Sequence, residues 1–124
     1  MNASLQARSA YTNNQTAIKT PRSIEAQLLG EVTAQLRKAA ANSDNYPGLV
    51  AAVHRNRQMW TTFAMNIADK DNGLPKELRA QLFYLAEFTE AHSQKILQRD
   101  AKATALVEIN MSVLKGLTGS RVSS

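Results

Sequence analysis

Bulky apolar side chains recur along the middle of the chain at the spacing of an α-helix. The longest such pattern spans Leu49–Ile67 and contains no glycine or proline. Steps of four, seven, three and four separate its large apolar residues, so these residues share one stripe of a helix. The stripe consists of Leu49, Val53, Trp60, Phe63 and Ile67. We predict a central helix that buries this stripe, including the only tryptophan of the chain.

A similar pattern precedes the central one and predicts a first helix from Pro21 to Ala41. Thr20 can cap its free amide groups, and a proline at the first helical position removes no hydrogen bond. The apolar residues that follow at steps of four are Ile24, Leu28, Val32 and Leu36. The segment 42–48 has the composition of a loop, and Tyr46 is biased towards extended geometry because a proline follows it.

Two further helices are predicted after the turn signal Asn72-Gly73. The third opens at Leu74-Pro75 and carries an apolar stripe. This stripe is formed by Leu78, Leu82, Leu85, Phe88, His92 and Ile96, with Phe83 and Tyr84 beside it. The fourth follows a short break at 100–104, and Gly116 or Gly119 offers a left-handed exit. Its predicted buried face consists of Leu106, Ile109, Val113 and Leu117, next to Asn110.

Four helical patterns without a strand pattern predict an all-α fold, a small bundle of about four helices. A chain of 124 residues is long enough for one core but not for two. We expect residues 1–19 to be weakly ordered or short-helical, residues 20–118 to form one domain, and residues 119–124 to fray. The alternative is an open helical arrangement whose apolar face another chain completes.

The positive charge of the chain lies at its two ends. The formal net charge is +5, yet ten basic and ten acidic residues balance between Glu25 and Glu108. The surplus charges belong to Arg8, Lys19, Arg22, Lys115 and Arg121. A nucleic-acid-binding module usually collects positive charge on one face of its fold. We therefore interpret the basic flanks as solvated ends and do not expect direct binding of nucleic acid.

The sequence offers little that could support catalysis. It has no cysteine, and its two histidines, His54 and His92, do not form a metal-ligand pair. Phosphate-binding loops and nucleophile elbows are also missing. We interpret Glu87 and Glu90 as a solvated face near Lys95, because acid–base chemistry needs an apolar pocket. We predict a protein that is not an enzyme and that uses no metal, cofactor or small-molecule substrate.

The beginning of the sequence and its overall hydropathy bear on location. The first residues lack the apolar core of a signal peptide. No window approaches the roughly 18 apolar residues that a membrane span requires. We expect a cytoplasmic protein with no membrane association.

An amide and a guanidinium make the central pattern more specific. Asn56 fills a gap in the apolar stripe, and a buried amide of this kind often fixes helix register or selects a helix partner. Arg57 flanks the stripe and is predicted to pair with a carboxylate such as Glu25. Trp60 is expected to anchor the core. The candidate partner-binding residues are Tyr11, Asn56, Arg57, Trp60, Phe83, Tyr84 and His92.

Four segments of the chain together resemble the FlaF family of flagellar biosynthesis regulators. They are PRSIEAQLL at 21–29, NRQMWTTF at 56–63, LPKELR at 74–79, and the segment from Ile109-Asn110 to Gly116-Leu117. Their order and spacing and the total length match, so the resemblance covers nearly the whole chain. The chain departs from the family pattern at Ser23 and Gln58, where members often carry an additional charge. A role that needs a charge at those two positions is therefore not implied.

The resemblance implies a cytoplasmic bacterial protein, needed for flagellin production and filament assembly, that acts with FlbT, a regulator of flagellin mRNA. It also implies direct contact with flagellin, as an export chaperone that couples flagellin synthesis to secretion. An all-α domain can offer a groove to an amphipathic helix. The alternative is an RNA-binding post-transcriptional regulator that contacts flagellin mRNA directly. Salt separates the two, because phosphate contacts weaken steeply as ionic strength rises.

Overall fold

The computed structural model describes residues 25–42, 44–69 and 73–123, with side chains up to residue 117. Within these ranges the chain forms four helices and no strand, which confirms the predicted all-α fold. The helices are α1 (Ala26–Ala41), α2 (Tyr46–Ala68), α3 (Lys76–Leu97) and α4 (Thr104–Ser123). The predictions for residues 1–19 lie outside the described residues, and the domain boundaries stay predictions.

Two helices begin elsewhere than the sequence pattern predicted. Glu25 has extended backbone geometry, with φ −95° and ψ 118°, so α1 begins at Ala26 and does not run unbroken from Pro21. The start of α2 lies at Tyr46, three residues before the predicted one. The Asn45 side chain accepts a hydrogen bond from the backbone N–H of Gly48 at 3.1 Å. This cap, with a proline in the first turn, outweighs the extended bias of the residue before proline.

The connection between α3 and α4 closes through backbone hydrogen bonds. Arg99 has φ 65°, in the left-handed region, and its guanidinium lies 4.0 Å from the centre of the Tyr46 ring. The N–H of Asp100 donates to the carbonyl of Lys95 at 2.8 Å, as in a Schellman motif. The predicted break after α3 is thus confirmed. The predicted exit of the fourth helix at Gly116 or Gly119 is wrong, because α4 continues to Ser123.

The four helices form a bundle in which α2 packs against α1 and α3, and α1 packs also against α4. The fourth pairing, between α3 and α4, is the sparsest. The core consists of two apolar clusters. The first contains Leu29, Val32, Met59, Trp60, Phe63, Ile67, Leu82 and Ala86. The second contains Leu36, Ala52, Val53, Ile96, Ala103 and Leu106.

A layer of buried polar side chains separates the two clusters, and every helix contributes to it. Along α1, α2 and α3 these residues fall between members of the two clusters, and on α4 Asn110 lies between Leu106 of the second cluster and Val113, which packs against the first. The buried polar residues are Thr33 of α1, Asn56 of α2, Thr89 and Ser93 of α3, and Asn110 of α4. We call this set the polar layer. Its members are at most 4 % exposed, so their hydrogen bonds matter for stability.

The buried face of α3 differs from the predicted stripe. Its buried residues are Leu82, Ala86, Thr89, Ser93 and Ile96. The predicted members Leu78 and Phe88 are exposed instead. The hydroxyl of Ser93 donates to the carbonyl of Thr89 at 2.6 Å, and a hydroxyl satisfied within its own helix can be buried. The prediction followed the largest side chains, whereas α3 turns its small ones inward, where they permit a close approach to α2.

Replacing Asn45 by alanine removes the side-chain cap of α2, so we expect the free energy of unfolding to fall by about 1 kcal/mol. Urea denaturation measures the change. Asn42→Ala is a matched control, because Asn42 is also exposed and takes part in this turn through its backbone. Its effect should stay within about 0.5 kcal/mol. Equal losses in the two variants would contradict the capping role of Asn45.

Candidate functional site

A groove of about 480 Å³ lies between α2 and α3. The α2 wall consists of Arg57, Trp60, Thr61 and Ala64. The α3 wall consists of Phe83, Ala86, Glu87, Thr89, Glu90, Ala91 and Gln94. Three alanines leave space between larger side chains, and Phe83, 40 % exposed, presents its ring at the surface. We call this feature the α2–α3 groove; it is the candidate binding site.

Trp60 forms the buried part of the groove wall. It is 2 % exposed, as the sequence pattern predicted. Its indole Nε1 donates to Asn110 Oδ1 at 2.9 Å, and its ring meets Phe63 edge to face, with centres 5.6 Å apart. A buried indole N–H normally finds such a partner, and the edge-to-face contact adds to the area buried. The side chain is therefore held from two directions, and the wall it forms is rigid.

Asn110 and Asn56 continue the hydrogen bonding across the core. Asn110 Nδ2 donates to Asn56 Oδ1 at 2.8 Å. The two bonds of Asn110 thus connect α4 to α2, two helices whose backbones do not pack directly against each other. Asn56 is fully buried, as predicted for an amide on the central stripe. Its Nδ2 and the Thr89 hydroxyl are buried without a hydrogen-bond partner among the described residues.

An ion pair crosses the groove from α2 to α3. Arg57 Nε donates to Glu90 Oε1 at 3.0 Å, and Arg57 Nη2 donates to Glu90 Oε2 at 2.6 Å. The predicted pairing of Arg57 with a carboxylate is confirmed, but the partner is Glu90 and not Glu25. Glu90, interpreted from the sequence as part of a solvated face, is 45 % exposed in its side chain, and its carboxylate is also engaged by the guanidinium in a bidentate arrangement.

The ion pair also separates the α2–α3 groove from a second depression of about 490 Å³, since both residues line each of them. The hydrogen bond from Arg57 lowers the pKa of Glu90 below its ordinary value. The same bond raises the pKa of Arg57. Both groups are therefore charged near neutral pH, and the pair is closed across the groove.

The other predicted partner-binding residues are spread over the molecule. Tyr84 is exposed on α3 and does not line the groove. His92 Nε2 donates to the carbonyl of Lys102 at 3.0 Å, and the His92 ring stacks on Phe88 with centres 5.3 Å apart. Tyr11 lies outside the described residues. The structure thus brings Arg57, Trp60 and Phe83 together at the groove and leaves Tyr84 and His92 outside it.

Several residues of the site were not predicted from the sequence. Asn110 was placed only beside a buried face, and its bonds to Trp60 and Asn56 could not be inferred from spacing. Glu90 pairs with Arg57, which lies 33 positions earlier, and Thr89 lines the groove beside residues of α2. One signal was available, since Ala86, Thr89 and Ser93 recur at helical spacing and would form a face of small residues on α3.

Within the described residues the structure holds no cluster of three or more histidine or acidic side chains that could bind a metal ion. None of the described helices is both long and apolar enough to cross a bilayer. Neither observation identifies a function by itself.

The family model described as flagellar protein FlaF matches residues 7–117. The chain belongs to the FlaF family. The matched range includes α1, α2, α3 and most of α4, so the groove and the polar layer lie within the FlaF domain. The description of the family gives the chain a role related to the flagellum. No curated protein and no solved structure matches the chain.

Replacing Asn110 by leucine in this FlaF domain leaves Trp60 Nε1 and Asn56 Oδ1 buried without partners. We expect the free energy of unfolding to fall by at least about 2 kcal/mol, because each unpaired group costs about 1–3 kcal/mol. The double variant Asn56→Leu/Asn110→Leu also removes the Asn56 amide, so its free energy of unfolding should fall by less than that of Asn110→Leu alone. Denaturant unfolding tests both expectations. A double variant that loses more than Asn110→Leu would contradict the proposed coupling.

The ion pair gives a pH dependence of stability. In the folded state the pKa of Glu90 lies below its ordinary value of 4.5. The ion pair therefore stabilises the fold above pH 4.5, and this stabilisation is lost as the pH falls through the lower pKa of the folded state. Near neutral pH the free energy of unfolding of the wild type should exceed that of Glu90→Gln by at most about 1 kcal/mol, since both partners are partly exposed. The difference should shrink as the pH falls below the ordinary pKa of a glutamate. Melting curves from pH 2 to pH 7 measure it, and a constant difference would contradict the ion-pair account.

Proposed function

We propose that the chain binds flagellin in the cytoplasm as an export chaperone and, together with FlbT, couples flagellin synthesis to secretion. Membership of the FlaF family supports a flagellar role. The observation that supports binding of a polypeptide is the α2–α3 groove, a largely apolar depression with an exposed aromatic ring. Helix-binding domains receive the apolar face of an amphipathic helix in a depression of this kind.

The dimensions of the groove limit what it can hold. Its α3 wall extends over eleven helical steps, from Phe83 to Gln94, which corresponds to about 16 Å. A partner helix of that length has about three turns and places two or three apolar anchors on one face. The groove therefore suits one amphipathic segment of flagellin rather than a whole helical bundle.

The charges of the groove favour a polypeptide over RNA. Its rim carries two carboxylates, Glu87 and Glu90, and its guanidinium, Arg57, is already paired with Glu90. Nucleic-acid sites on a fold need positive charge directed at phosphates. The alternative proposed from the sequence, direct contact with flagellin mRNA, receives no support from the described residues.

Replacing Phe83 by aspartate puts a charge on the apolar wall, so we expect flagellin to bind at least about tenfold more weakly, the change typical of a lost interface anchor. Titration calorimetry with purified flagellin, with and without FlbT, measures the dissociation constant. Met65→Asp is the matched control, because Met65 is 68 % exposed on α2 and does not line the groove. It should bind like wild type.

Salt provides the second arm of the experiment. Flagellin binding through an apolar groove should hardly change between 50 mM and 200 mM salt, whereas phosphate contacts would weaken by orders of magnitude. Absence of flagellin binding by the wild-type chain, or RNA binding that Phe83→Asp leaves unchanged, would overturn the proposed function.

A further inference from the structure

The polar layer has its hydrogen bonds completed everywhere except where α2 meets α3. The hydroxyls of Thr33 and Ser93 donate to carbonyls of their own helices at 2.6 Å. Asn110 uses both ends of its amide. The two groups left over are Asn56 Nδ2 and Thr89 Oγ1, which have no partner among the described residues. Buried polar groups without a hydrogen bond are rare in folded proteins, so this pair requires an explanation.

Both groups lie at one level of the α2–α3 contact. Asn56 precedes Arg57 and Thr89 precedes Glu90, and the two following side chains are bonded to each other. Thr89 also lines the groove, although it is only 1 % exposed. Thr89 is therefore at the bottom of the groove, at the level of the ion pair that crosses it.

Thr89 lies near the middle of the α3 wall, which extends from Phe83 to Gln94. The apolar residues of this wall are Phe83 and Ala86 before Thr89 and Ala91 after it. A helix that is apolar over its whole contact face matches these residues but leaves the hydroxyl of Thr89 without a partner.

We infer that the occupant of the α2–α3 groove is an amphipathic helix with a small hydrogen-bonding residue, serine or threonine, in the middle of its apolar face. The side chain of that residue bonds with the Thr89 hydroxyl. This inference rests on the proposed function and specifies its partner. Access requires the Arg57–Glu90 pair to move aside, which two partly exposed side chains, at 31 % and 45 %, can do without displacing their helices.

The inference assigns Thr89 a role in selectivity. A hydroxyl and an apolar side chain of similar shape differ little in how well they fill a helix interface, but only the hydroxyl gives Thr89 a hydrogen-bond partner. Specificity therefore comes from the free energy lost when a partner helix without the serine or threonine leaves the Thr89 hydroxyl unpaired. The substitution Thr89→Val removes that cost in both the free and the bound protein.

Two synthetic amphipathic peptides test the inference. They have the same sequence except for the central position of the apolar face, which is serine in one and alanine in the other. Titration against the full chain should give a preference of roughly twofold to tenfold for the serine peptide, the effect of one hydrogen bond. Thr89→Ser should keep this preference, and Thr89→Val should lose it without a lower melting temperature.

The outcomes are separable from those for the proposed function. A serine preference that persists in Thr89→Val, or that is missing in the wild-type chain, overturns the inference even if flagellin binds. Failure of both peptides to bind also overturns the inference. That result is expected if a second copy or another part of this chain fills the groove. Phe83→Asp should weaken both peptides equally, and unequal weakening counts against binding in this groove.

Discussion

The hydrogen bond between Trp60 and Asn110 is the interaction on which the rest of the structure depends. It joins α2 to α4 across the bundle, where the two backbones do not pack directly. Asn110 then bonds to Asn56 at 2.8 Å, so one amide fixes two positions of α2. Apolar packing tolerates small shifts along a helix, whereas a buried donor and acceptor must meet within hydrogen-bond distance. The alignment of α2 with α4, and with it the position of the Trp60 ring, is set by this amide.

The α3 helix is held by different means. Its inward face consists largely of small residues, its contact with α4 is sparse, and one ion pair bonds its side to α2. Small side chains bury little apolar area, and a partly exposed ion pair adds little stability. The contact of α3 with α2 is nevertheless the most extensive helix pairing in the bundle. The groove lies along this contact, between side chains that both helices supply.

Periodicity was sufficient to predict the helices and much of the core, including buried Trp60 and Asn56, because amphipathic spacing is imposed by burial itself. It failed on α3, where exposed Phe88 and Leu78 outweighed Thr89 and Ser93 in the pattern. It also failed on Arg57, whose partner is 33 positions away. Pairings between helices depend on rotation and register, which no spacing within one helix contains. The groove is formed by such pairings between helices. The fold that carries it could therefore be predicted from the sequence, whereas the set of residues that line it could not.

The size of the groove bears on how a proposed chaperone would work. A contact of about three helical turns buries less than the roughly 1,200 Å² at which stable interfaces begin. Binding by this groove alone is therefore weak and quickly reversible, since affinity differences between related complexes reside mainly in the dissociation rate. A client that is passed on for export has to be released, so a short groove suits the task better than a long one. Selectivity then cannot come from area, and the unpartnered Thr89 hydroxyl supplies it through a single hydrogen bond, at little cost to release.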